Sequence, residues 1–259
     1  MPIIKLSNSD CYYEFEDFGN DKTIVFSNSL GTDFTMWDYQ LDILSHHFNV
    51  LRMDTRGHGN STIKQDEVSI EELGTDVIEL LDQLKLNKVY FCGLSMGGLI
   101  GQWLGIHYSN RFEKIILSNT AAKIGNEEGW NTRIQQVLEN GMASIVDATA
   151  ERWFTPEFRE SAPDTVSQIL KNFENNDLRG YTASCAAVRD ADFSAQLYDL
   201  EVPVLVISGL QDQVTTVEDG KFLAKRIPVS KHVSLDAAHL SSVECAEEFA
   251  KHILHFSEN

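Results

Sequence analysis

Apolar, β-rich runs alternate with segments of helical periodicity along most of this chain. Residues 11–17 and 22–28 (KTIVFSN) read as early strands, and the turn Gly19-Asn20-Asp21 between them suggests a hairpin. Residues 49–54 (NVLRMD) form another strand, ended by the glycine-rich Arg56-Gly57-His58-Gly59. The clearest helix covers 69–84, where Ile70, Leu73, Val77, Leu80, Leu81 and Leu84 recur at spacings of three and four. Ser69 followed by Glu72 makes a capping box there, with Val68 placed to staple onto Leu73. Strands at 88–93, 114–118, 202–208 and 231–235 follow, with helices over 96–108, near 217–227 and near 244–256. Strands that are apolar along their whole length and separated by helices imply an α/β fold, a mostly parallel sheet covered on both faces.

Between 121 and 195 the alternation stops. No strand pattern is found there, only helical stretches at 130–139, 142–150 and 163–174. The expected organisation is a core of 1–120 and 196–259 with a helical lid, 121–195, over the carboxyl ends of the strands.

Composition narrows the partners. With 42% hydrophobic and 23% charged residues the chain can bury a full core, and no apolar run is long enough to span a membrane. The first residues carry no basic-then-apolar leader, and four dispersed cysteines without metal-type spacing fit reduced thiols, so the expected location is the cytoplasm. Cys92, three residues before the serine motif discussed next, reads as a packing residue inside a strand. A formal charge of −18 makes nucleic acid or an anionic membrane an unsuitable partner. Any anionic substrate therefore needs a local cationic patch.

The chemistry centres on Gly93-Leu94-Ser95-Met96-Gly97, a G-x-S-x-G motif that follows a strand and opens a helix. Such a sharp turn lifts the serine clear of the sheet and sets it at a helix N-terminus, where developing negative charge is favoured. A serine hydroxyl needs a base, and in this fold the partners follow in the order acid, then histidine. Asp212 lies just past the strand 202–208, and His239 just past 231–235. His239 is thus the candidate general base and Asp212 the group that orients it. The backbone N–H groups of Met96 and Leu30 are the candidate oxyanion donors. His58 is the rival histidine, but its loop reads as a structural brace tied down by Arg56 or Asp54.

The segments 27–38 (SNSLGTDFTMWD), 91–105 (FCGLSMGGLIGQWLG), 117–125 (LSNTAAKIG), 129–134 (GWNTRI), 152–156 (RWFTP), 180–192 (GYTASCAAVRDAD) and 237–244 (AAHLSSVE) resemble the bacterial 3-oxoadipate enol-lactonases of the α/β-hydrolase superfamily. The likeness spans nearly the whole chain. Two departures are Met53, where that family has Tyr, and Asn28-Ser29, where many relatives have His-Gly. The resemblance implies a carboxylic ester hydrolase that opens a small anionic enol-lactone to 3-oxoadipate in protocatechuate or catechol catabolism. Neither a metal nor an organic cofactor is implied. Arg133 and Arg189 are then candidates to bind the substrate carboxylate, and Trp130 to pack on the ring; Arg152 lies in another family-like segment.

Two alternatives share the scaffold: another small-ester or carbon–carbon bond hydrolase, and a non-catalytic receptor that keeps the pocket. Nothing in the sequence marks a protein interface or an oligomeric state. Dehalogenase and epoxide-hydrolase chemistry is disfavoured, since those relatives carry Asp where Ser95 stands.

Overall fold

The apolar runs form one eight-stranded sheet in the computed structural model, which describes residues 2–258. Its strands are β1 (Ile3–Lys5), β2 (Asp10–Glu16), β3 (Thr23–Ser27), β4 (Asn49–Met53), β5 (Val89–Leu94), β6 (Phe112–Ser118), β7 (Val204–Gly209) and β8 (Ser230–Leu235). They lie in the order β1-β2-β4-β3-β5-β6-β7-β8. From β4 to β8 every neighbouring pair is parallel, and β2 alone runs antiparallel to its two neighbours, β1 and β4, at one edge. Every residue of β3, β4, β5 and β7 is buried, as strands covered on both faces require.

The expected hairpin between the strands near 11–17 and 22–28 does not form. Instead β2 pairs with β4, Tyr13 opposite Met53 and Glu16 opposite Val50, and its hairpin partner is β1. The Gly19-Asn20-Asp21 turn bonds elsewhere: the Phe18 and Asn20 N–H groups both donate to Asn49 Oδ1 at the start of β4. Charge fixes the pairing as well. Arg52 of β4 donates to Glu14 and Glu16 of β2, at 2.8 and 2.9 Å, and to Asp38. β3 is then free to take β4 and β5 as parallel neighbours on its two sides.

The helices are α1 (Asp38–Leu44), α2 (Ile70–Gln83), α3 (Met96–His107), α4 (Glu127–Asn140), α5 (Val146–Trp153), α6 (Pro156–Ser161), α7 (Pro163–Glu174), α8 (Leu178–Asp190), α9 (Val217–Arg226), α10 (Ser241–Glu244) and α11 (Ala246–Glu258). α2 opens with the expected capping box, each of Ser69 and Glu72 accepting the other's backbone N–H. α3 is buried on nearly every side, in keeping with its place beside the sheet's centre. Between β6 and β7 the described residues form α4 to α8 and no strand. Trp153, Phe173 and Tyr181 pack edge to face there, with centroids 5.1 and 5.6 Å apart, and give this helical segment apolar packing of its own. The four cysteines are free, three of them buried. No helix among the described residues is long and apolar enough to cross a membrane.

The loop after β4 braces the sheet against the helical segment. Arg56 forks onto Asp76 of α2, with Nε–Oδ2 at 2.8 Å and Nη2–Oδ1 at 2.7 Å. Asp54 accepts from the Phe34 and Asn60 N–H groups, both at 2.8 Å. Gly57, at φ 74°, touches Gly180 of α8 so closely that a Cβ on Gly57 would lie 2.6 Å from the Gly180 Cα. His58 is buried with Nδ1 3.3 Å from the Arg56 carbonyl, and it does not line the cavity that holds Ser95.

Burial pushes the Asp54 carboxyl up to about 7, against the pull of the Asn60 and Phe34 donors. Burial also lowers the His58 imidazole to about 4. The signs oppose one another. Between its ordinary 3.8 and about 7, folded Asp54 keeps a proton that the unfolded chain releases, so stability falls as pH rises through this window. Between 6.5 and about 4, unfolded His58 takes up a proton that the folded chain refuses, so stability falls as pH drops. Asp54→Asn removes only the first slope. Its urea midpoint, measured against the native chain, should therefore shift steadily in the variant's favour from pH 4 to 7. A difference that does not change with pH would contradict a protonated Asp54.

Candidate active site

A strand running directly into a helix leaves one residue to make the turn, and here it is Ser95, at φ 58° and ψ −111°. This region is sparsely populated by residues with a side chain and carries strain of about 1–3 kcal/mol. The neighbouring glycines make the turn possible. A Cβ on Gly93 would sit 2.0 Å from the Gly97 carbonyl oxygen, and one on Gly97 would sit 2.2 Å from the Ser27 carbonyl oxygen. Hydrogen bonds hold the turn from both sides. Gly97 N–H donates to Asn28 O at 3.0 Å, Ser95 N–H to Ser118 O at 3.0 Å, and Thr120 Oγ1 to Ser95 O at 2.8 Å.

Asp212 and His239 lie in the loops after β7 and β8, on the same edge of the sheet, and both are buried. His239 Nδ1 is 2.8 Å from Asp212 Oδ2. Asp212 also accepts from the N–H groups of Val214 (2.8 Å) and Thr215 (3.1 Å), from Thr215 Oγ1 (2.8 Å) and from Asn119 Nδ2 (3.0 Å). Burial alone would raise this carboxyl. The charge and hydrogen bond of His239, with the Asn119 and Thr215 donors, overcome it and hold Asp212 down at about 2. The carboxylate thus stays ionised and fixes the imidazole with its proton on Nδ1.

Two residues that the sequence reading did not single out complete this arrangement. Asn119, directly after β6 at φ 43°, donates to Asp212 and to Ala238 O, while its own Oδ1 accepts from Ser241 Oγ. Glu244 accepts from Thr155 N–H (2.6 Å) and from Ala238 N–H (2.5 Å), joining the helical segment to the residue before His239. Both lie inside family-like segments, 117–125 and 237–244, and that was their only signal in the sequence.

Ser95 and His239 line one cavity of about 440 Å³, together with Leu30, Trp130, Arg133 and Arg152. Met96 opens α3, so its N–H has no partner one turn earlier in the helix. Leu30 follows β3, and the Gly97–Asn28 bond fixes its loop against the Ser95 turn. Asn28 accepts from Trp37 Nε1 and donates to Met53 O, both at 2.9 Å. Trp130 donates through Nε1 to Ile124 O at 2.7 Å. Arg133 rests on neutral oxygens alone, with Nε on the Tyr181 hydroxyl (2.6 Å) and Nη2 on Thr149 Oγ1 (3.1 Å). Its charge is therefore not neutralised by a carboxylate among the described residues.

Arg189 does not belong to this group. It lies outside the cavity lining, paired through two nitrogens with its neighbour Asp190 (2.7 and 2.8 Å) and through the third with Asn131. Its charge is already matched, so the expectation that it faces the substrate is corrected. Arg152, by contrast, does line the cavity.

Residues 22–245 match the family model described as the alpha/beta hydrolase fold. The 3-oxoadipate enol-lactonase 2 of Acinetobacter baylyi is 44% identical over 96% of this chain and 96% of its own. The 3-oxoadipate enol-lactonase 1 of the same organism is 40% identical over 89% and 86%. The crystal structure of the enol-lactonase from Burkholderia xenovorans LB400 superimposes over the whole of both chains with a TM-score of 0.97 at 40% identity. This chain belongs to the α/β-hydrolase fold family and, within it, to the 3-oxoadipate enol-lactonases.

Proposed function

We propose that this protein hydrolyses 3-oxoadipate enol-lactone to 3-oxoadipate, with Ser95 as nucleophile, His239 as general base and Asp212 as the group that orients the base. The observation that carries this reading is a single cavity lined by Ser95, His239 and a guanidinium without a carboxylate partner, Arg133. A small anionic ester meets both requirements of such a cavity. The names of the relatives supply the same substrate.

In this mechanism Ser95 Oγ attacks the ring carbonyl while His239 Nε2 takes the hydroxyl proton. Asp212 stabilises the imidazolium that forms. The oxyanion is met by the N–H groups of Met96 and Leu30, which need not reorganise because both loops are pinned. Collapse breaks the ring C–O bond, and the enol leaves with the proton from His239 while remaining tethered to the acyl chain. Water, activated by His239, then cleaves the acyl-serine, and the freed enol tautomerises to the ketone. Arg133 binds the side-chain carboxylate and Trp130 packs on the ring, with α4 to α8 acting as the lid. The free thiols fit a reducing, cytoplasmic setting.

Loss of enol-lactone absorbance is the direct assay. Ser95→Ala should lower kcat by about 10⁴-fold or more. If the variant turned over at the native rate, the nucleophile would be assigned wrongly. Arg133→Ala should raise KM for the lactone about 10- to 100-fold, the magnitude of a lost hydrogen bond to a charged group. An unchanged KM would exclude Arg133 from the carboxylate site.

A further inference from the structure

The cavity is roomier than the lactone requires. About 440 Å³ lies within the range of about 300–1,000 Å³ that accommodates drug-sized molecules. The proposed substrate is one small ring bearing a two-carbon acid. A second cation, Arg152 of α5, lines the same space as Arg133 of α4.

These two differ from most arginines of the chain. Arg52, Arg56, Arg111, Arg179 and Arg189 each pair with a carboxylate. Neither Arg133 nor Arg152 does so among the described residues: Arg133 sits on two neutral hydroxyls, and Arg152 Nε donates to the Ala148 carbonyl at 3.0 Å. They also stand close enough to feel one another, since burial and then the Arg133 charge weaken the hold of Arg152 on its proton. A chain with 39 acidic residues has left two adjacent guanidiniums unquenched in its reactive cavity. One carboxylate offers lone pairs enough for both.

We infer that Arg133 and Arg152 form a shared carboxylate subsite that also admits acyclic substrates, so that the protein cleaves aryl half-esters of a six-carbon dicarboxylic acid. Such an acyl chain keeps the spacing between reacting carbonyl and carboxylate that the opened lactone has. The volume left beside the lactone holds the leaving group. This inference rests on the serine mechanism proposed above. Ser95 Oγ bonds to the acyl carbon, the bond to the phenol oxygen breaks, and the serine proton passes through His239 to the departing phenolate. Water then releases the dicarboxylic acid and restores Ser95. The difference from the lactone is that this leaving group diffuses away.

The test compares kcat/KM for monophenyl adipate with that for phenyl hexanoate, which has a methyl group in place of the carboxylate. The adipate half-ester should be preferred by about 10-fold or more, and Arg152→Ala should lower that ratio about 10-fold. Arg152→Lys, which keeps the charge, should retain most of the ratio. A native ratio near one overturns the inference, as does a ratio untouched by Arg152→Ala. Equal losses in the Ala and Lys variants overturn it too, because they would assign Arg152 to packing. Lactone turnover measured on the same preparation separates the two levels. Rapid lactone opening without half-ester preference rejects the subsite alone, whereas failure on lactone and both esters rejects the serine mechanism with it.

Discussion

The site depends on how closely backbone can approach backbone at the end of β5. Ser95 keeps its positive φ because Gly93 and Gly97 present no Cβ to the carbonyls that crowd them, and because the ends of β3 and β6 are bonded to the same turn. The turn is thus held by the two strands that flank β5 in the sheet. This is why a strained residue can persist: the surrounding sheet over-determines its conformation. Replacing either glycine would displace not a side chain but the register between Ser95 and the loop carrying Leu30.

A second constraint is electrostatic. Asp212 and His239 are nearly inaccessible to water, and a buried carboxylate with one partner would be unfavourable. Four further donor contacts from Val214, Thr215 and Asn119 make the charge tolerable. Asn119 reaches both loops, so one amide ties the Asp212 carboxylate to the backbone of the residue before His239. The helical segment is tied into the same framework at several places, among them Glu244 beside His239, the Leu240 N–H on the Trp153 carbonyl, Asn176 Nδ2 on the Gly31 carbonyl, and the Gly57–Gly180 contact at the loop after β4. Arg133 and Trp130 are carried on that segment, and their position relative to Ser95 follows from those ties.

Much of this was legible in the sequence because it lies in order and spacing. The parallel sheet followed from wholly apolar strands, and Ser95, Asp212 and His239 from a glycine motif and two strand ends taken in sequence. What was not legible depends on direction rather than on residue type. β1, at three residues, is too short to show a period, and so the edge hairpin was assigned to the wrong pair. Arg189 and Arg133 look alike in the sequence, and only the face of the helix decides which meets the cavity; the adjacent Asp190 was the one available hint. Asn119 acts from a left-handed backbone conformation that leaves no pattern to read.

On the proposed mechanism, Ser95 is the single nucleophile activated by the Asp212–His239 pair. The most direct measurement is stoichiometric labelling with a serine-directed fluorophosphonate, followed by peptide mass mapping and residual lactonase assay. One phosphonyl group per chain is expected, on Ser95, with activity lost in proportion to labelling. Labelling of another residue as activity falls, or full labelling of Ser95 with activity intact, would contradict it.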